Sequence, residues 1–344
     1  MKKVKTRGEG IRHFILQHVE KHPDKIAVVT AEKFGISRQA VYKHLKRLVD
    51  EKSLVAQGST RNRGYHLHPQ VEQRYVYELR PGLAEDIVWR EDIFPNIGKM
   101  PENVVDIWRY GFTEMFNNAI DHSEAKHIVV RLKKTAVSTQ VGIYDNGVGI
   151  FKKIQNELGL LDEKHSVLEL AKGKLTTDPE NHSGEGIFFT SRMFDGFDIL
   201  SGGVYFTHKF GEKEDWILNG RKSSGTFVWM KLNNHTSRTT KKILNEYTSG
   251  DDFGFNKTVV PVRLALYGDD KLVSRSQAKR LLSRIDRFKV VIFDFQGVET
   301  IGQAFADEVF RVFSVKHPEI ELYAIKTSTA VKAMIQRARS VHSA

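Results

Sequence analysis

The first 70 residues repeat apolar positions with the period of an α-helix. The first such set recurs at steps of three and four residues and consists of Ile11, Phe14, Ile15 and Val19. This spacing predicts an amphipathic helix. A second short helix is predicted in residues 25–35, and a third begins after Ser37, a residue type that favours the N-cap position. Two short strands are predicted in residues 53–67, on either side of a polar segment that contains Gly58.

The middle of the chain combines one helical pattern with strand-like runs. Apolar residues recur at helical spacing through residues 112–120, and the other face of the same stretch carries Glu, Asn, Asp and His. A strand-like run precedes Asp145, and a β-rich run follows Thr226. A short helix is predicted after Gly186. A helix with a polar face of this composition indicates a binding site rather than an ordinary solvated surface.

The last third of the chain alternates strand and helix patterns. The predicted strands are residues 258–267, 289–295 and 321–325, and the predicted helices are residues 276–285, 302–315 and 328–338. This alternation predicts a small α/β domain. The polar residues 233–242 suit a domain boundary. The chain is therefore predicted to be an α+β multidomain protein with domains at 1–70, 71–235 and 236–344.

Charge and cysteine content narrow the classes of function. The net charge is +11, and residues 1–70 hold fifteen Lys and Arg against six Asp and Glu, which gives +9. A small basic module is the usual footprint of a nucleic-acid partner, although a solvated basic surface without a partner is an alternative. The chain has no cysteine, which excludes disulfides and Cys-ligated zinc. Without a run of about 20 apolar residues, no membrane association is expected, and the predicted location is cytoplasmic.

The N-terminal pattern of three helices and a hairpin resembles a winged helix-turn-helix. The run GISRQAVYKHLKRL is typical of such DNA-binding regulators. The resemblance implies that the third helix enters the major groove of DNA. The residues expected at base edges are Ser37, Arg38, Gln39, Tyr42 and Lys43, those expected at phosphates are Lys46 and Arg47, and those expected at the wing tip are Arg61 and Arg63. A winged helix used only for protein contacts is the alternative.

Four short motifs in the middle of the chain suit a nucleotide. They are Glu114-x-x-x-Asn118-Ala119-x-x-His122, Asp145-x-Gly147-x-Gly149, Gly184-x-Gly186 and Gly225-Thr226. A carboxylate after a strand can accept the amino group of a purine, and glycines let the backbone approach the base. Glycines at a helix N-terminus expose N–H groups to phosphate. An amide oxygen beside phosphates suits Mg²⁺, and a carboxylate one helical turn away could polarise water for attack at the γ-phosphate.

In this order the motifs resemble the Bergerat-fold ATP-binding domain of the gyrase, histidine-kinase and MutL (GHKL) superfamily. The resemblance covers residues 100–235 and implies an α/β sandwich with a mixed sheet, ATP with Mg²⁺, and a mobile lid between Gly149 and Gly184. It implies that Asn118 binds Mg²⁺, that Asp145 binds adenine, and that Glu114 is the hydrolytic base. The other nucleotide-binding residues that it implies are His122, Gly147, Gly149, Gly184, Gly186 and Thr226.

Three activities are alternatives to a simple ATP-gated switch: a histidine kinase, a serine kinase and a DNA-processing ATPase. A histidine kinase needs a phosphoacceptor His just upstream, and residues 71–105 contain no His. The ending Asn118-Ala119-x-x-His122 resembles anti-sigma-factor serine kinases, so a serine kinase that acts on a separate partner is the main alternative. A DNA-processing ATPase would need a metal cluster or a nucleophilic Tyr motif, and neither is apparent in the sequence.

The C-terminal residues resemble a STAS-like domain, the fold of anti-sigma-factor antagonists. The resemblance is carried by residues 274–282 and 294–310. Antagonists have a phosphorylatable Ser where the loop meets the helix, whereas this chain has Thr300, Ile301 and Gly302 there. The domain is therefore expected to dock, to a second copy of the chain or a protein partner; completing the ATPase core is the alternative. Together the three parts predict an ATP-responsive, DNA-binding transcriptional regulator.

Overall fold

The structure is a computed structural model that describes residues 7–59, 63–175, 184–210, 216–248, 254–266 and 271–340, with the side chains of 216–222 left out. The described residues form helices and three sheets, of two, three and five strands. The fold is α+β, an arrangement that is compatible with a multidomain α/β protein. The predicted wing-tip residue Arg61 lies outside the described residues.

The N-terminal unit is made of three helices and a two-stranded antiparallel sheet. Its elements are α1 (Arg7–His18), α2 (Ile26–Phe34), α3 (Arg38–Asp50), β1 (Leu54–Gln57) and β2 (Gly64–Leu67). The prediction that Ser37 caps the third helix is confirmed, because its Oγ accepts a hydrogen bond from the Ala40 amide at 3.2 Å. Gly35 ends α2 in the left-handed region with φ of 60°. The unit has a core of its own, which includes Ile15, Val41 and Leu45.

The central unit contains a five-stranded sheet with helices packed on it. It begins with β3 (Val71–Glu78), α4 (Glu85–Val88), a π-helical segment (Trp89–Ile93), α5 (Phe94–Ile97), α6 (Glu102–His122), β4 (His127–Lys134) and β5 (Ser138–Asp145). It continues with α7 (Ile150–Leu158), α8 (Glu163–Lys172), α9 (Gly186–Met193), β6 (Gly196–Lys209) and β7 (Trp216–Asn233). The strand order is β3-β4-β5-β7-β6, and every described pairing is antiparallel. The expectation of a mixed sheet is therefore wrong for the described strands.

The interval between Gly149 and Gly184, where a lid was expected, contains the two helices α7 and α8. Phe151, Ile154 and Val167 are buried, because these helices carry apolar residues at helical spacing. Most of the interval therefore packs into the core. Residues 176–183, the most polar part of the expected lid, lie outside the described residues.

The C-terminal unit is built on a three-stranded parallel sheet of order β10-β9-β8. Its elements are α10 (Thr240–Glu246), β8 (Lys257–Pro261), a 3₁₀ turn (Val262–Ala265), α11 (Arg275–Leu282), a second 3₁₀ turn (Ile285–Arg287), β9 (Val290–Asp294), α12 (Gln303–Asp307), a π-helical segment (Glu308–Phe313), α13 (Ser314–Lys316), β10 (Glu321–Ile325) and α14 (Thr329–Ser340). The first strand is shorter than predicted and ends at Pro261, which has no N–H to continue a ladder.

The predicted boundary near residue 235 does not separate two cores. Buried residues of the central and C-terminal units form one hydrophobic cluster. Phe188 and Phe255 pack with ring centroids 4.6 Å apart, and Phe255 in turn contacts Phe288 at 5.3 Å. The polar boundary segment is partly buried as well, since Arg238 is 8% exposed. A polar composition predicted a solvated linker, but these polar groups are used in internal hydrogen bonds.

Candidate functional site

A cavity in the central unit brings together two of the four predicted motifs in full and one residue of each of the other two. Its volume is about 260 Å³ over the described residues, near the lower end of ligand sites, which span about 300–1,000 Å³. Seven predicted site residues line it: Glu114, Asn118, His122, Asp145, Gly184, Gly186 and Thr226. The helix α6 contributes the first three, and the paired strands β5 and β7 contribute Asp145 and Thr226. The cavity therefore combines carboxylate, amide, hydroxyl and glycine backbone groups.

Asp145 is a buried carboxylate that lines this cavity. The register of β5 and β7 places Asp145 opposite Thr226. The Asp145 carboxylate is 4% exposed and accepts hydrogen bonds from the amides of Gly147 at 2.9 Å and Thr226 at 3.2 Å. Burial raises the pKa of Asp145 above its ordinary value, and the hydrogen bonds from Gly147 and Thr226 oppose that rise. The local structure thus holds this carboxylate in one orientation at the base of the cavity.

Two predicted glycines support the cavity without lining it. The described lining does not include Gly147 or Gly149. A Cβ at Gly147 would lie 1.8 Å from the Ser123 carbonyl oxygen, so the missing side chain allows the loop to pack on the end of α6. A Cβ at Gly149 would lie 2.7 Å from the Ser201 Oγ, and its φ of 86° is left-handed. Both glycines therefore shape the loop that follows Asp145, and their contact with a nucleotide remains a prediction.

Glu114 and the start of α9 approach each other at another part of the cavity. A Cβ at Gly186 would lie 1.9 Å from the Glu114 Oε2, so a side chain there would displace this carboxylate from the helix start. Burial raises the pKa of Tyr110, and the charges of Glu114 and Glu185 raise it further. Burial also raises the pKa of Glu185, which the charge of Lys174 opposes. This region therefore concentrates carboxylates next to backbone N–H groups.

Sequence reasoning missed several lining residues, among them Lys153. Among the described lining residues, Lys153 is the one with a permanent positive charge, and its Nζ lies 3.2 Å from the Glu124 Oε1. Ile150, Lys153 and Ile154 all line the cavity and follow one another at steps of three and one on α7. That spacing after the Asp145 loop is the signal that would have found them. The apolar lining residues missed in the same way are Met115, Ile143, Leu170, Leu175, Ile187 and Val228.

The donor groups of the cavity fit a magnesium ion carried by phosphates. Within the described residues, no group of three or more His, Asp or Glu side chains is placed to hold a metal ion. Mg²⁺ keeps several waters and commonly takes only one or two protein oxygens beside phosphates. Asn118 and Glu114, which both line the cavity, supply an amide oxygen and a carboxylate. Asn118 and Glu114 are therefore the lining residues that could contact a Mg²⁺ ion bound to phosphates.

A second candidate surface is the exposed face of α3 in the N-terminal unit. The predicted residues Ser37, Arg38, Gln39, Tyr42, Lys43, Lys46 and Arg47 are all exposed. Tyr42 is 50% exposed, a large fraction for an aromatic side chain. Arg47 is paired with Glu51 at 2.7 Å, and Arg63 is exposed just before β2. Apart from Arg61, the structure therefore leaves all the predicted DNA-contacting side chains accessible to a partner.

The comparisons with known proteins identify the C-terminal part. Residues 277–332 match the family model of a STAS-like domain of unknown function (DUF4325). This match supports the prediction of a STAS-like C-terminal part. No curated protein sequence matches the chain. No helix of the described residues is long and apolar enough to cross a membrane.

Proposed function

We propose that the chain is an ATP-responsive, DNA-binding transcriptional regulator. The proposal assigns a Bergerat-type ATP-binding fold to residues 71–235 and a winged helix-turn-helix to residues 1–70. One observation carries it: Glu114 and Asn118 of α6, Asp145 of β5 and the two glycines at the start of α9 come from separate parts of the chain and line one cavity. A carboxylate, an amide and a glycine-rich helix start are the groups that a purine triphosphate with Mg²⁺ requires.

In this proposal the two ends of the cavity bind the two ends of the nucleotide. The Asp145 carboxylate accepts the amino group of adenine, and Thr226 fixes the orientation of that carboxylate through its backbone amide. The start of α9 faces the phosphates with its unpaired N–H groups. Asn118 holds Mg²⁺, whose charge offsets that of the phosphates. Glu114 orients the water that attacks the terminal phosphate.

The exposed basic face of α3 supports the DNA-binding part of the proposal. Arg38 and Gln39 lie in the first turn of the helix, where side chains reach base edges in related docking geometries. Lys46 and Arg47, about two turns later, lie where they can neutralise phosphates. If the same face instead docks a protein, the N-terminal unit should not bind duplex DNA. A DNA-binding assay therefore distinguishes the two roles.

A protein serine kinase acting on a separate partner is the second candidate. It is suggested by the resemblance of residues 114–122 to anti-sigma-factor serine kinases and by the STAS-like match of residues 277–332, since the STAS-like fold is that of anti-sigma-factor antagonists. Incubation with labelled ATP and candidate partners decides between the two candidates: phosphate that appears on a protein favours the kinase.

A nucleotide titration tests the site itself. A ligand that binds only the folded state stabilises it, by about 2.7 kcal/mol at 100 times its dissociation constant. MgATP should raise the melting temperature of the wild type, and Asn118→Ala or Asp145→Ala should abolish this shift. Asn117→Ala is the matched control, since the neighbouring amide is not among the described lining residues. Equal shifts in all four proteins would disprove the assignment.

A further inference from the structure

The C-terminal end of α8 lies between the candidate cavity and the C-terminal unit. Residues 172–175, here called the wall segment, continue α8 toward the cavity. Leu170 and Leu175 line the cavity. The Leu175 amide donates a hydrogen bond at 3.1 Å to the carbonyl of Gly184, another lining residue. One side of the wall segment is therefore part of the cavity.

The other side of the wall segment is bonded to the C-terminal unit. The Lys172 Nζ is buried and donates to the carbonyl oxygens of Arg280 at 3.1 Å and Ser283 at 2.8 Å. The Lys174 Nζ donates to the carbonyl oxygen of Arg287 at 2.9 Å. These bonds use backbone acceptors at the end of α11 and in the turn that follows it. The position of that turn therefore constrains the position of the wall.

Two guanidinium groups of the C-terminal unit hold the wall segment in return. The Lys174 carbonyl oxygen accepts hydrogen bonds from Arg284 at 3.1 Å and from Arg287 at 3.0 Å. Hydrogen bonds from a charged donor are about twice as strong as neutral ones. The Arg284 Nε also lies 3.8 Å from the Glu169 Oε2 on α8. One backbone carbonyl next to the cavity is thus fixed by two charged side chains from another unit.

The backbone at this contact is strained on both sides. Lys174 has φ of 52° and Arg284 has φ of 60°, so both are non-glycine residues in the left-handed region. Gly173, with φ of 82°, could not be replaced without strain, because a Cβ there would lie 2.7 Å from the Phe255 ring. Such conformations persist only where surrounding contacts offset their cost. The hydrogen bonds between Lys174 and the two arginines are contacts of that kind.

We infer that Arg284 and Arg287 are positioning residues of the nucleotide cavity, supplied by the STAS-like unit. They act through the Lys174 carbonyl, which sets the place of Leu175 in the cavity wall. This inference rests on the proposed nucleotide site and adds its regulation. Because coupling between two sites is reciprocal, a nucleotide that packs against Leu175 also tightens the turn that carries the two arginines. The STAS-like unit then senses whether the cavity is filled.

The affinity of the full chain for MgATP tests the inference. Arg287→Ala removes one donor to Lys174 without opening a cavity, because Arg287 is exposed. We expect it to weaken MgATP binding by about five-fold or more, the lower range of coupling between sites. Arg287→Lys should recover part of the loss, since a lysine can still donate to the carbonyl. Arg337→Ala is the control, because Arg337 is exposed on α14 of the same unit.

Hydrogen exchange provides a readout that a merely structural role would not change. MgATP should slow exchange of the Phe288 amide, which is bonded to the Ile285 carbonyl, in the wild type but not in Arg287→Ala. If the wild type binds MgATP and Arg287→Ala binds it equally well with the same exchange pattern, the inference is wrong and the nucleotide site stands. If the wild type itself binds no MgATP, the proposed function fails and the inference fails with it.

Discussion

The N-terminal unit contacts the central unit through an exposed lysine–glutamate pair, whereas the C-terminal unit is bonded to a buried lysine whose glutamate partner lies on the same helix, α8. Lys231 of β7 contacts Glu20 of the N-terminal unit at 2.7 Å, with 27% and 46% of the side chains exposed. Lys172 of α8 contacts Glu169 at the same 2.7 Å, with 1% of each exposed, and also bonds to the C-terminal unit. The first pair lies between two separate cores, whereas the second lies beside a shared one.

The length of an ion pair therefore does not by itself show how strongly the pair holds two units together. Water screens an exposed pair, which contributes little to stability, whereas a buried pair cannot lose one partner without stranding the other charge. The C-terminal unit is therefore an integral part of the fold that carries the cavity. The N-terminal unit has its own core and is expected to retain its structure and its partner when the rest of the chain changes.

The largest expected effect breaks the buried attachment. Lys172→Met leaves the Glu169 carboxylate buried without its ammonium partner, which should lower the free energy of unfolding by about 3–5 kcal/mol. The measurement is urea denaturation of the full chain. Lys172→Met combined with Glu169→Leu should regain part of the loss, because the buried carboxylate is removed while Arg284 loses a partner at 3.8 Å. A single variant as stable as the wild type would show that the pair is hydrated in solution.

The next largest effect concerns ATP hydrolysis, which should depend on the cavity and not on the N-terminal unit. Glu114→Ala should bind MgATP but slow its hydrolysis by about 10²-fold or more, if Glu114 is the general base. Glu157→Ala, exposed on α7, is the control. Removal of residues 1–70 should leave the hydrolysis rate unchanged, since that unit has a separate core. If Glu114→Ala hydrolyses ATP at the wild-type rate, another residue is the general base, and His122 is the next candidate.

A third effect concerns DNA and the N-terminal unit alone. Arg38→Ala and Gln39→Ala should cost about 1–3 kcal/mol of preference at one base pair. Arg63→Ala should instead flatten the log–log salt dependence by about 0.9 if it contacts a phosphate.

The fragment 1–70 provides the matching control. It should retain salt-sensitive binding to duplex DNA, because its charge of +9 does not depend on the cavity. A fragment that stays folded and binds no duplex at low salt would make the unit a protein-docking module and favour the kinase alternative.

The smallest effect tests the exposed attachment. Lys231→Met should change the free energy of unfolding by less than about 1 kcal/mol, since the pair with Glu20 is screened by water. High salt should remove even that difference. The measurement is the same urea titration as for Lys172→Met, so the two lysines are compared directly. A loss as large as that of Lys172→Met would contradict the distinction between the two attachments.

Local pattern was a good guide to the elements and to part of the site. The periodicity of residues 37–51 predicted α3, and the apolar runs predicted β9 and β10. It also marked one polar face of α6, from which Glu114, Asn118 and His122 do line the cavity. It could not show that Asp145 and Thr226 pair, because strand register is decided between segments distant in the chain. Lys153 was missed although its spacing with Ile150 and Ile154 after the Asp145 loop was a local signal.

The amino-acid sequence by itself determined where several elements lie, among them α3, β9 and β10, where positive charge concentrates, and which residue types lie at each motif, because these depend on neighbours a few positions away. The tertiary structure alone decided that the central and C-terminal units share a core. Glu169 and Lys172 have the pattern of a solvated helix face, yet both are buried because the C-terminal unit covers them. Burial depends on which surfaces meet after the chain folds, and the periodicity of a short segment does not contain that information.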